Sequence, residues 1–212
     1  MSDRPRIYVL AGVNGAGKSS IGGAAFRASG ADYYNPDEVA RELRSTQPGL
    51  TSAEANAAAW ESGRALLERA IEERLHFAFE TTLGGNTIPR LLGQAAKSGI
   101  EILVWYVGLK SPQLHIDRVA ARVRRGGHPI PEEIIRRRYE RSRLNLVQLL
   151  PSLAALRVYD NSDDADPEAG KVPAPRRVLH LEAGRILGPE DLSQTPDWAK
   201  PVVAAALQRS LR

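Results

Sequence analysis

Apolar positions fall in short runs separated by longer amphipathic stretches. Arg6–Val13 (RIYVLAGV) is a short apolar run ending beside a glycine, the pattern of a buried strand. Gly17–Ser29 follows as a helix with Gly30 as C-cap, and Asp32–Asn35 reads as a short strand. Pro36 then occupies the first turn of a helix bearing Asp37, Glu38 and Arg41. Thr51-x-x-Glu54 is a capping box that opens an alanine-rich helix to about Leu75. His76–Thr82 (HFAFETT) predicts a strand closed by Gly84-Gly85, Thr87–Lys97 a helix, and Ile102–Leu109 (ILVWYVGL) a strand buried on both faces. Ser111-Pro112 caps and starts a helix that runs towards Gly126-Gly127. Glu132 to about Leu150 resumes helical spacing, and Arg157–Asn161 is a further short strand. Asp163–Pro175 is a polar, proline-bearing surface linker. Val178–Leu181 and Arg185–Leu187 flank Glu182-Ala183-Gly184 as a small hairpin, and a last helix runs from about Trp198 to Leu211.

Strands alternating with helices imply parallel βαβ units, hence an α/β fold: a three-layer α/β/α sandwich around a mostly parallel central sheet. With 212 residues the chain is expected to be one domain. Residues 1–162 form its core, including an arginine-bearing helical lid at about 118–143. Residues 163–212 supply the linker, hairpin and C-terminal helix, packed on that core.

Composition narrows the chemistry. The chain is 42% hydrophobic and 25% charged, enough for a sizeable core. Aromatics make up only 6%, which argues against an aromatic base-stacking surface. The absence of cysteine excludes disulfides, thiolate metal sites and cysteine nucleophiles. The longest apolar run, at 102–109, is far below the ~20 residues of a membrane helix, and the N-terminal run is too short for a signal-peptide core. The expectation is a soluble cytoplasmic protein.

Charge is unevenly placed. Between Arg118 and Arg143 stand nine arginines against three glutamates, a segment of +6 in a chain whose net charge is +4. Arginine grips phosphate oxygens bidentately, so the segment suits a phosphate-rich ligand, and equally a solvated helix face paired with its own glutamates. Read as a nucleic-acid footprint, it would make the chain a nucleic-acid-associated ATPase or polynucleotide kinase. No recognisable binding module accompanies it, so nucleic acid is the less favoured partner.

Gly12-Val13-Asn14-Gly15-Ala16-Gly17-Lys18-Ser19 matches G-x-x-x-x-G-K-[ST], between the first strand and the first helix. In such a P-loop consecutive backbone N–H groups converge on the β-phosphate at the positive end of a helix dipole. Gly12, Asn14, Gly15, Ala16, Gly17, Lys18, Ser19 and Ser20 are the predicted ATP-binding residues. Lys18 reaches the β- and γ-phosphates, and Ser19 is a ligand for Mg²⁺. No Asn-Lys-x-Asp motif and no long apolar strand ending in Asp-Glu is present, which counts against a GTPase or an oligomeric ATPase.

A kinase needs three further parts: a base, acidic help with the metal, and cations over the phosphoryl group. Asp37 follows the second strand inside a helix start, at the sheet edge where ligands bind. It is the candidate base, with Glu38 as neighbour. Glu80 ends the strand HFAFE, where an acid holds a metal-bound water or positions substrate. Thr81, Thr82 and Arg90 are near enough in sequence to share that pocket. Arg122, Arg124 and Arg125 precede Gly126-Gly127-His128, a hinge-like pattern for a lid that closes over ATP.

These residues resemble the zeta-toxin-like P-loop kinases, whose toxin members phosphorylate the 3′-hydroxyl of UDP-N-acetylglucosamine. The resemblance covers Arg6 to Ser162. It runs from the P-loop through Asn35-x-Asp37-x-x-x-Arg41, Glu80-Thr81-Thr82 and Arg122/Arg125 to Tyr159-Asp160-Asn161-Ser162. Arg125-Gly126-Gly127-His128-x-x-Pro131, followed by Ile135-Arg136-Arg137-Arg138-Tyr139, is similar to the shorter bacterial branch of the family. The resemblance implies Asp37 as base, Lys18 and Ser19 on ATP and Mg²⁺, Glu80 orienting substrate, and Arg122 and Arg125 stabilising the γ-phosphoryl. It also implies a nucleotide sugar as acceptor and an antitoxin protein as candidate partner. The glycine-glycine-histidine insert in the lid departs from the toxin type, as does the pocket beyond Glu80.

Overall fold

The computed structural model describes residues 4–19, 33–163 and 174–211. β1 (Arg6–Ala11) is the first apolar run, and it pairs in parallel with β3 (Phe77–Thr81) on one side and β4 (Glu101–Gly108) on the other. Seven strands form one sheet in the order β2-β3-β1-β4-β5-β6-β7. β2 is only Tyr33–Tyr34, and β5 (Ala155–Asp160) completes the parallel part. β6 (Arg176–Glu182) and β7 (Arg185–Gly188) then add to the same sheet in antiparallel sense. The expected C-terminal hairpin is therefore an extension of the central sheet. β5 also starts two residues ahead of its apolar-aromatic core, because Ala155 and Leu156 pair with Leu103 and Val104.

Six α-helices lie among the described residues: α1 (Pro36–Thr46), α2 (Ser52–Glu72), α3 (Thr87–Lys97), α4 (Pro112–Arg124), α5 (Glu132–Leu149) and α6 (Lys200–Ser210). Their starts follow local chemistry. The Asn35 side chain accepts from the Asp37 N–H at 3.0 Å, Ser111 from that of Leu114 at 3.2 Å, and Thr51 and Glu54 form both bonds of the capping box. Chain passage from β1 to β3 on one side and from β3 to β4 on the other creates a switch point at the carboxyl edge of β1, where α/β sheets bind ligands. Glu80 lies beside Leu10 and Thr81 beside Ala11 in the register, so the turns after β1, β2 and β3 leave at one edge.

The principal core lies on one face of the sheet. Ile7, Val9, Phe79, Val104 and Val158 meet residues of α2, α3, α5 and α6 there. Leu10, Ala78 and Val107 point to the opposite face with Ala16. The result is a mixed α/β fold with a mostly parallel central sheet. The helix expected over Gly17–Ser29 and its Gly30 cap fall largely outside the described residues, as does Ser20; so do residues 164–173 of the expected linker. Among the described residues no helix is long and apolar enough to cross a membrane.

Candidate active site

The turn after β1 is shaped by three glycines with positive φ: Gly12 (143°), Gly15 (82°) and Gly17 (86°). Gly12 has a second constraint. A Cβ there would lie 2.2 Å from the Val107 carbonyl oxygen, so only glycine fits. The loop is fastened from outside at each step. The Gly12 N–H donates to the Thr81 carbonyl at 3.2 Å, and Asn161 Nδ2 donates to the Ala16 carbonyl at 2.9 Å. Asn14 is held twice, with Arg138 Nη1 donating to its Oδ1 at 2.7 Å and His115 Nδ1 to its carbonyl at 2.8 Å. Burial lowers the His115 pKa to about 4, so this imidazole is neutral and donates from Nδ1. Burial likewise lowers Arg138, with Arg137 adding to the effect.

Glu80 emerges from β3 into the mouth of this loop. Its side chain and that of Lys18 are each 8% exposed, and Lys18 Nζ lies 3.4 Å from Oε1. The other oxygen, Oε2, accepts from Ser19 Oγ at 2.9 Å and Tyr33 OH at 2.7 Å, with Asn35 Nδ2 at 3.5 Å. A buried carboxylate is tolerable here because one cation and three donors surround it.

Asp37 stands where α1 begins, its backbone fixed by the Asn35 cap. Two cavities meet at this residue. One, of about 690 Å³, is lined by Gly15, Gly17, Arg118, Arg122, Arg125 and Asn161. The other, of about 610 Å³, is lined by Lys18, Trp60, Arg64, Glu80, Thr82 and Arg138. Asp37 and His128 line both. Arg122 comes from the last turn of α4. Its Nη1 lies 3.6 Å from Asp37 Oδ2, an ion pair without a hydrogen bond, and its Nη2 donates to the His128 carbonyl at a long 3.4 Å. Burial lowers His128; Asp37 opposes that shift and Arg122 adds to it.

The structure thus brings Asn14, Gly15, Gly17, Lys18, Asp37, Glu80, Thr81, Thr82, Arg122 and Arg125 to the walls of the two cavities; Gly12 and Ala16 belong to the same loop, and Ser19 is bonded to Glu80. Arg41 joins them on the wall of the first. Arg90 is not gathered: it is exposed on α3 and donates to Gln94 one turn on, so the pocket expected of it with Thr81 and Thr82 does not form. It stands on the outward side of a helix whose buried residues are Leu91, Leu92 and Ala95. Ser20 lies outside the described residues. Sequence reasoning assigned no role to Tyr33, Asn161, His115 or Arg138, each of which touches the loop or Glu80. The signals for Arg138 and Asn161 were their places in the Ile135–Tyr139 and Tyr159–Ser162 patterns, which mark neither contact, since Arg138 meets a partner 124 positions away.

Ser19 and Glu80 offer hard oxygen ligands, which fit Mg²⁺: that ion takes one or two protein oxygens and completes its shell with phosphate and water. Among the described residues there is no group of three or more His, Asp or Glu that could hold a metal ion.

Comparison with known proteins gives a consistent picture. The profile of the zeta toxin family matches residues 1–166. An uncharacterised protein of Haemophilus influenzae is 30% identical over 129 residues, 60% of this chain and 88% of that protein. Among solved structures, the AvrRxo1-ORF1:-ORF2 complex with ATP superposes with a TM-score of 0.66 at 16% identity. That alignment covers 96% of this chain, which spans 64% of the longer AvrRxo1 chain. The PezAT chromosomal toxin–antitoxin system of Streptococcus pneumoniae gives a TM-score of 0.56 at 16% identity, covering 98% of this chain and 86% of that one.

Proposed function

The chain belongs to the zeta-toxin family, and on that premise we propose that it is an ATP- and Mg²⁺-dependent kinase that transfers the γ-phosphoryl group to a hydroxyl of a small molecule, a nucleotide sugar first among candidates. The observation that carries this reading is the position of Asp37, a carboxylate on the shared wall of two cavities. Both cavities reach the phosphate loop, one through Gly15 and Gly17 and the other through Asn14 and Lys18, so a nucleotide's terminal phosphate would lie between them; the second also holds Glu80, Thr82 and a separate set of arginines, as an acceptor requires.

The roles follow from charge and reach. The loop N–H groups and Lys18 hold the β- and γ-phosphates, and Arg122 and Arg125 draw charge off the transferring group from the opposite side. Asp37 takes the proton of the acceptor hydroxyl as its oxygen bonds to phosphorus and the bond to ADP breaks. Glu80 is held by Tyr33 and Asn35 so that it faces Lys18 and Ser19, where it orients substrate and metal. Mg²⁺, when bound, neutralises charge on the phosphoryl oxygens. Arg41, Thr81 and Thr82 complete the walls. The need for ATP assigns the work to the cytoplasm, and an antitoxin protein is the candidate partner.

The basic segment does not favour a nucleic-acid footprint. Arg143 pairs with Glu140, Arg136 with Glu132 and Gln113, and Arg141 donates to Asn86. The test is phosphoryl transfer from labelled ATP to a panel of nucleotide sugars, nucleosides, sugars and short RNAs. Product with a nucleotide sugar, lost in both Lys18→Ala and Asp37→Asn, is the expected result. Bound ATP with no transfer to any acceptor would end the kinase reading.

A further inference from the structure

The family match ends at residue 166, yet the segment beyond it reaches the phosphate loop through an unbroken line of contacts. Trp198 stands in the short 3₁₀ turn before α6 and is 3% exposed. Its ring lies on Gly108, the last residue of β4, where a Cβ would come within 2.4 Å of the indole. It also meets Tyr106 at 6.2 Å between ring centroids. Its Nε1 donates to Asp160 Oδ1 at 3.1 Å, and the same oxygen accepts from Ser162 Oγ. Ser162 Oγ in turn accepts from the Lys110 N–H at 2.7 Å. Between Asp160 and Ser162, Asn161 is held by its N–H on the Gly108 carbonyl at 3.0 Å, and its side chain donates to the Ala16 carbonyl. Arg176 of β6 adds a second C-terminal contact, 3.8 Å from Asp160 Oδ2.

We propose that Trp198 is a positioning residue of the nucleotide site: it fixes the 160–162 turn, and through Asn161 it sets the Ala16 peptide of the phosphate loop. The physical argument is satisfaction of buried polar groups. Asp160 and Asn161 are at the end of β5, where the chain leaves the sheet and nothing in the strand ladder fixes their side chains. The indole N–H and the hydroxyl of Ser162 select one orientation for Asp160, and the turn that results aims the Asn161 amide at the loop. Gly108 is the enabling residue, because any larger side chain would push the indole away. The C-terminal segment is then a working part of the ATP cavity, which Asn161 lines, besides covering one face of the sheet.

That a nucleotide occupies this cavity rests on the function proposed above; the connection itself is readable without one. Trp198→Phe keeps an aromatic ring while removing the donor and part of the packing on Gly108, and Asn161→Ala removes the contact with the loop. In the free protein, amide hydrogen exchange across residues 12–18 is expected to rise about tenfold in Trp198→Phe while exchange in β1 and β4 stays as in the wild type. ATP affinity, read by calorimetry, falls by a similar factor, and KM for the acceptor is unchanged. The double variant is no worse than Asn161→Ala alone, as two residues on one line require. Additive losses, or an unchanged loop in Trp198→Phe, would overturn the proposal. So would faster exchange spread evenly over the sheet, which marks simple loss of stability. Failure of the wild type to bind ATP would count against the nucleotide reading alone, since the exchange experiment still decides the connection.

Discussion

The two walls that face each other across Asp37 are built in opposite ways. The phosphate loop is buried and held by bonds that come from β3, α4, α5 and the 160–162 turn, with separations of 69 to 145 residues. On the arginine wall Arg122 is held loosely: it has a 3.6 Å ion pair to Asp37 and a 3.4 Å bond to a carbonyl, with its side chain 37% exposed. Arg122 Nε is buried with no partner. One wall is fastened by several bonds from distant elements, and on the other Arg122 keeps part of its hydrogen-bonding capacity unspent. Preorganised donors cost no reorganisation during reaction, whereas a closing wall completes the site only when something fills it.

Substitutions can separate the walls by what they damage. The largest effect belongs to Arg122→Ala, which should lower kcat by about 10³ if it acts as cationic lids do on a transferring phosphoryl group. Its melting temperature should stay within about 2 °C of wild type, because an exposed, long ion pair contributes little to stability. A large drop in melting temperature would place Arg122 in the rigid wall instead. Gly12→Ala should do the reverse. Strained φ and overlap with the Val107 carbonyl should cost on the order of 3 kcal/mol of stability, measured by urea unfolding, with nucleotide binding lost as well. The third effect is confined to acid. His115 is neutral in the folded protein down to about pH 4, whereas its unfolded value is 6.5. The unfolded chain therefore binds the extra proton, and stability falls as pH drops through that window, by up to about 3 kcal/mol. His115→Gln should flatten the unfolding free energy between pH 6.5 and 4; an unchanged slope would show that the loop does not depend on a neutral imidazole.

The sequence made some of this legible and hid the rest for a physical reason. The loop glycines, Lys18 and Ser19 are adjacent in the chain, so their spacing alone encodes the cradle. Asp37 and Glu80 could be placed at the loop's edge of the sheet because a strand end is a fixed place in an α/β fold. The capping box at Thr51 and the helix over Thr87–Lys97 were also readable, since both depend on neighbours within one turn. What stayed hidden are contacts that only the fold creates. Arg138 on Asn14, Tyr33 on Glu80 and Asn161 on Ala16 join distant segments, and no local pattern marks which arginine of five on α5 turns inward. Arg90 shows the converse: closeness in sequence to Thr81 and Thr82 placed it near the pocket, and helix phase turned it outward. The hairpin was expected as such, but its addition to the central sheet depends on the free edge of β5, which only the assembled fold defines.

Part of the second cavity's wall is tied to Asp37. Tyr34 packs its ring against Gly63, where a Cβ would lie 2.6 Å away, and its hydroxyl donates to the Ala59 carbonyl of α2. Asp37 is three residues after Tyr34, and α2 carries Trp60 and Arg64 into the second cavity. Asp37 and that part of the second cavity's wall are thereby fastened as one body. Under the proposed function, a lineage can exchange the side chains at 60 and 64 to suit a new acceptor while the Asp37 carboxylate keeps its bearing, so the fold permits drift in substrate around a fixed carboxylate.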